Sequence, residues 1–208
     1  YKIEGWERNP AGPVFDKKKT QPPFKGIGGN DYAANFADFL AQRSPDRPFC
    51  FWFGASEPHR SYQKGSGLEQ GKRIADADPP SFLPDHDVVR SDILDYCVEI
   101  EWFDSHLGRM LDLLEQTGEL ENTLVVVTAD NGMPFPRAKA NCYEYGVHVP
   151  LAIRWAGRAP AGRIVDDPVS FVDLAPTFLE AAGIADVNNS RSPLPMAGRS
   201  LVALLESG

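Results

Sequence analysis

The run Thr123-Leu124-Val125-Val126-Val127-Thr128-Ala129-Asp130-Asn131-Gly132 carries the strongest architectural signal in the chain. Its first six residues are β-branched or leucine and hold no charge, so neither face of the backbone is marked for water, and residues 123–128 are predicted to form a central parallel strand. Upstream, apolar residues from Val88 through Val89, Ile93, Tyr96, Ile100, Phe103, Leu107 and Met110 to Leu114 return every three or four positions and stop near Gly118, which predicts a long amphipathic helix. A long helix feeding such a strand is half of a βαβ unit. Downstream, residues 150–155 predict a second short strand, and Phe171, Leu174, Ala175, Phe178, Leu179 and Ala182 predict a helix within 169–183, capped by Gly183. Upstream again, Ala33, Phe36, Ala37 and Leu40 predict a short helix from Asp31 to Ser44. Phe49-Cys50-Phe51-Trp52-Phe53 reads as a strand covered on both faces. Strands alternating with helices predict an α/β chain of three layers, folded as one compact domain.

Composition narrows the function. The 208 residues hold 21 basic and 29 acidic side chains, a formal net charge of −8, so a phosphate-binding basic surface is absent and nucleic acid is not an expected partner. With 42 % hydrophobic and 24 % charged residues the chain reads as globular rather than disordered. No apolar run approaches the ~18 residues of a membrane span, so no membrane partner is expected. Residues 1–31 read as an irregular lead-in, and residues 61–86 as a long polar surface loop. On the long helix Asp92, Asp95, Glu99 and Glu101 lie largely off the apolar stripe and read as a solvated face, with His106 structural. Cys50, Cys97 and Cys142 are too widely spaced for a metal knuckle and read as small buried hydrophobes.

Directly after the central strand, Asp130 and Asn131 set a carboxylate beside a carboxamide. These are hard oxygen donors of the kind Ca²⁺ takes, with Mg²⁺ second. The same residues with Gly132 also make a common Asx turn, and the pattern alone does not separate the two. Lys139, nine residues beyond Asp130 in a proline-bearing loop, is a cation able to meet an anion. His59, just after the aromatic run, has a side chain that titrates near neutrality and suits proton donation or anion contact. Singly, a loop lysine or histidine is usually solvated. Three strand-end positions would nevertheless gather a hard-cation site, a fixed positive charge and an imidazole at one sheet edge, as transfer of an anionic tetrahedral group requires.

Four ordered segments resemble the later half of the type I sulfatases of the alkaline-phosphatase superfamily: Glu57-Pro58-His59-Arg60, residues 123–132, residues 145–157 and residues 172–183. Asp130-Asn131-Gly132-Met133-Pro134-Phe135-Pro136, with a cation three residues later, resembles the heparan N-sulfatase branch. The resemblance runs from about Asn9 to Leu204. It implies an alkaline-phosphatase-like three-layer α/β/α sandwich, here incomplete, and a sulfated saccharide as partner, N-sulfoglucosamine of heparan above O-sulfates. Asp130 and Asn131 would be two of four protein ligands of Ca²⁺, Lys139 would hold a sulfate oxygen, and His59 would contact the sulfate or protonate the leaving group. The resemblance also implies an exported or lysosomal protein, and it leaves the oligomeric state open.

None of the three cysteines stands in a C-x-P/A-S-R context, whose cysteine becomes the formylglycine nucleophile in this family. The resemblance therefore places that segment, an early Asp-Asp calcium pair and a C-terminal subdomain outside residues 1–208, and implies that these residues alone are inactive. Arg60, Arg137 and His148 are further residues that could touch substrate. Two alternatives remain open: a phosphate or phosphonate ester hydrolase of the superfamily, for which four histidines are few, and a non-catalytic domain that only binds.

Overall fold

The computed structural model describes residues 12–184 and 196–207. They fall into two compact units. The first runs to Gln116 and resumes over Asn131–His148, while the second holds Thr117–Asp130 and the residues from Val149 onward.

In the first unit, α1 spans Tyr32–Gln42, two residues short of the expected helix at its C-terminal end. Asp31 caps it, its Oδ1 accepting the Ala34 N–H at 3.0 Å, which satisfies one of the donors a helix start leaves over. Helix α1 packs on α3, the 30-residue helix Asp87–Gln116 expected from the apolar period, and its Ala33 and Phe36 are buried. Leu94, Val98, Met110 and Leu114 of α3 are buried.

Residues 49–53 are not a strand. They are extended without a ladder partner among the described residues, and alternate residues do different things. Phe51 packs on Phe36 and Phe39 at ring-centroid distances of 4.8 and 4.9 Å, and Phe53 stacks on Phe103 at 4.8 Å. Trp52 between them is 82 % exposed. Among the described residues one face is covered, not two, by the rings of α1 and α3.

Residues 61–86 are more ordered than a surface loop. They contain the single-turn helix α2, Ser66–Glu69, and a 3₁₀ turn, Ile74–Asp76, and both pack on α3. This overturns the reading of the acidic face. Asp95 is buried, its carboxylate accepting the N–H groups of Gly65 and Gly67 at 2.8 and 2.9 Å, so it caps α2. Glu99 is also buried. Asp92 pairs with Arg60, and only Glu101, paired with Lys72, stays exposed as expected. His106 is fully buried between Tyr32 and Trp102, a structural residue as read.

In the second unit, β1 (Leu124–Thr128) pairs with β2 (Leu151–Trp155) in a two-stranded sheet. The pairing is antiparallel, from Leu124↔Trp155 to Thr128↔Leu151, and not parallel as expected. β2 begins where β1 ends, and the Thr128 hydroxyl donates to the Pro150 carbonyl at 2.7 Å. A parallel partner would have needed a crossover connection. After a 3₁₀ turn at Phe171–Asp173 comes α5, Leu174–Ala181, narrower than the expected 169–183, with Gly183 beyond it at φ +76° as anticipated.

Between the two strands in sequence, the first unit contributes the short helix α4, Glu144–Val147; α6, Val202–Glu206, closes the second unit. The cysteines depart from expectation: Cys50 and Cys142 are exposed and Cys97 is half-buried. No helix among the described residues is long and apolar enough to cross a membrane.

Candidate functional site

His59 and Lys139 lie on two segments of the first unit that Arg60 joins. The segment 57–60 is anchored from below by the buried Glu57. One of its carboxylate oxygens accepts the Gly28 N–H at 2.6 Å and the other accepts the Tyr32 hydroxyl at 2.9 Å. The turn closes with the His59 N–H on the Ser56 carbonyl at 2.9 Å, which leaves the His59 side chain exposed. His59 Nδ1 lies 2.5 Å from the Arg60 carbonyl oxygen. A carbonyl can only accept, so Nδ1 carries the proton and Nε2 is the nitrogen left to face a ligand.

Arg60 next door is engaged within the protein. Its guanidinium donates to both oxygens of Asp92, at 2.9 and 2.5 Å, and its Nε donates to the Pro134 carbonyl at 2.8 Å. It also lies over the rings of Tyr62 and Phe135, each centroid 4.7 Å away.

The segment 131–148 owes its shape to close backbone approach. A Cβ on Gly132 would sit 1.9 Å from the Tyr145 carbonyl oxygen, and one on Gly146 2.1 Å from that of Asn141. Only glycine fits at either place. Gly132 thus serves to bring the ends of the segment together, with its N–H on the Gly146 carbonyl at 3.3 Å. Phe135 is buried with its ring edge-on to Tyr96 of α3 at 5.7 Å. The Lys139 N–H donates to the Met133 carbonyl at 3.0 Å, and left-handed residues stand on both sides, Arg137 and Ala140 at φ 63°. Non-glycine residues take that conformation rarely and at some cost, and such positions cluster at functional sites. Lys139 is half-buried and has no carboxylate partner among the described residues. The other two cations of the expected periphery are engaged: Arg137 lies over the Tyr143 ring at 5.4 Å, and His148 pairs with Glu144 at 2.6 Å.

Asp130 is exposed two residues past the end of β1 in the second unit, and Asn131 follows it as the first residue of the 131–148 segment. The Asn131 amide nitrogen donates to the Gly132 carbonyl at 3.1 Å, so Oδ1 is the end available to a cation. One carboxylate and one amide oxygen fit a hard divalent cation in kind. They are too few to hold one by themselves, and among the described residues no cluster of three or more His, Cys, Asp or Glu forms a metal site.

Pattern reading named His59, Lys139, Asp130 and Asn131 as candidates; it did not foresee that Glu57, Arg60 and Asp92 hold the segments 57–60 and 131–148 in place. No local signal names those partners: Arg60 and Asp92 lie 32 positions apart, and Glu57 and Gly28 lie 29 apart.

The family model for Sulfatase matches residues 6–184, and the chain belongs to the sulfatase family. It is 31 % identical over 218 residues to the ulvan-active sulfatase of Formosa agariphila, covering 87 % of this chain and 36 % of that one. It is 29 % identical over 197 residues to the N-sulphoglucosamine sulphohydrolase of Homo sapiens, covering 80 % and 38 %. A structure from work on glycosaminoglycan metabolism by Bacteroides thetaiotaomicron matches with a TM-score of 0.64 at 21 % identity, over 85 % of this chain and 38 % of that one. That likeness establishes the fold, an α/β chain of the alkaline-phosphatase-like class, as expected. The chain spans just over a third of the length of these two curated relatives.

Proposed function

We propose that these residues are the central and later part of the catalytic domain of a sulfatase that hydrolyses sulfate from a sulfated glycosaminoglycan sugar, N-sulfoglucosamine of heparan foremost. The observation that carries the reading is a half-buried lysine without a carboxylate partner, on a glycine-closed loop that Arg60 ties to a histidine with Nε2 free. The match to an N-sulphoglucosamine sulphohydrolase and the Asp130–Pro136 motif support the N-sulfate preference; the match to an ulvan-active sulfatase supports only the broader class.

In this reading Lys139 holds a sulfate oxygen and, with the proton donor, offsets the charge that grows on the leaving atom as the S–N or S–O bond breaks. His59, protonated at Nε2, gives the leaving nitrogen or oxygen its proton, and the Arg60 carbonyl on Nδ1–H holds the ring in the orientation that presents Nε2. Asp130 and Asn131 are two ligands of a Ca²⁺ whose charge, when it is bound, offsets that of the sulfate. The formylglycine nucleophile and the remaining ligands come from sequence outside the 208 residues, which alone are inactive. The whole protein is exported or lysosomal.

The test is a substrate panel for the full-length protein: N-sulfoglucosamine, glucosamine 6-O-sulfate and a phosphonate monoester, with and without a calcium chelator. Calcium-dependent release from the N-sulfated sugar at a kcat/KM about tenfold or more above the others supports the reading. Preference for the 6-O-sulfate keeps the class and removes the substrate, and preference for the phosphonate removes both.

A further inference from the structure

Arg60 stands at a junction that no substrate contact would need. Its three engaged N–H groups run to two places, the carboxylate of Asp92 on α3 and the backbone of Pro134 in the loop that carries Lys139. The rings of Tyr62 and Phe135 each lie 4.7 Å from its guanidinium, and its carbonyl receives the His59 Nδ1–H. A bidentate guanidinium–carboxylate pair fixes both distance and orientation, and stacking on aromatic faces removes the remaining freedom of the plane. Asp92 is in the second turn of a 30-residue helix, so the fixed end of the device is rigid.

The geometry points to Arg60 and Asp92 as a positioning pair: Asp92 locks Arg60, and Arg60 sets the tautomer and direction of the His59 ring while holding the Lys139 loop against it. This rests on His59 and Lys139 being the sulfate-facing residues. The pair acts through these two residues and touches no substrate. Second-layer partners of this kind orient reacting groups, and their loss costs roughly 10–100-fold in activity.

The experiment uses full-length protein labelled with [¹⁵N]histidine, the His59 signal being assigned by its loss in His59→Gln. The wild type is expected to show His59 as the Nδ1–H tautomer. Arg60→Gln and Asp92→Asn are each expected to mix the tautomers and to move the pH profile of kcat/KM, with kcat falling about 10–100-fold. Together they should cost little more than either alone, and Arg60→Lys should restore part of the tautomer signal. The proposal is overturned if a folded Arg60→Gln protein keeps the wild-type His59 tautomer. It is equally overturned if activity falls in Arg60→Gln while Asp92→Asn is silent, since that marks a direct substrate contact. A wild type with the Nδ1–H tautomer that responds to both variants but releases no sulfate from any sugar keeps the positioning pair and removes the sulfatase reading.

Discussion

Tyr32 donates its hydroxyl to Glu57 at 2.9 Å, and through that bond helix α1 carries the turn on which His59 stands. The same carboxylate has a charged neighbour to contend with. Glu99, buried on α3, has its carboxyl pushed up to about 7, first by burial and then by the charge of Glu57.

A group of this kind makes stability depend on pH in a known direction. Because the folded chain holds the Glu99 proton to about pH 7 and the unfolded chain releases it near 4.5, its contribution is complete below about 4.5 and is lost as pH rises through about 7. Glu99→Gln keeps the shape and removes the charge. The variant is expected to melt above wild type at a pH of about 8, by an amount corresponding to about 1–3 kcal/mol, and level with it near pH 4.5. Thermal melts across that range check this, and a variant that melts lower at high pH would refute it.

Gly132→Ala is expected to disable the site. Its new methyl would press on two backbone groups, the Tyr145 carbonyl oxygen at 1.9 Å and the Gly146 Cα at 2.8 Å, neither of which can rotate away. The 131–148 loop must open, carrying Lys139 with it, and kcat/KM of the full-length protein should fall about 100-fold or more while the melting temperature drops only modestly. Near-normal kinetics would show that the loop's closure is not needed.

A third prediction concerns the second unit, where Asp173 accepts the N–H groups of Ser170 and Arg199, each at 2.9 Å. Next to it the Thr177 hydroxyl donates to the Asp173 carbonyl at 2.6 Å and accepts the Leu201 N–H at 2.8 Å. These bonds pin the segment 199–201 to α5. The backbone donors of Arg199 and Ser170 hold the Asp173 carboxyl below its ordinary value against the opposing effect of burial. Its stabilisation is therefore present above the ordinary carboxylate range and is lost as pH falls through the lowered value. Asp173→Ala should cost about 1–3 kcal/mol in urea unfolding at neutral pH, and a cost below about 0.5 would dismiss the pin.

Periodicity made α1, α3, α5 and the two strands legible, since an amphipathic stripe or an uncharged β-branched run reflects burial within a few residues of chain. What the chain does over longer spans was not legible. Residues 49–53 have strand composition, but strand formation needs a hydrogen-bonding neighbour, and Phe51 and Phe53 found helices instead. The direction of β1's partner depends on connectivity, which a run such as Leu124–Thr128 does not encode. Asp95 and Glu99 look solvated on the isolated helix, but Asp95 is buried under the Gly65–Gly67 backbone and Glu99 is buried beside Gly26, both far from it in sequence. For the site, the candidates with chemistry of their own were visible; Arg60 and Asp92 carry charges that any surface residue could carry, and only the fold pairs them.

The most direct test is sulfate release from an N-sulfoglucosamine-terminated saccharide by the full-length protein, with Lys139→Ala and Asp130→Ala beside the wild type. Wild-type release, with each variant at least about 100-fold lower in kcat/KM, is the expected result. Wild-type release that both variants retain, or no release from any sulfated sugar, would contradict the assignment.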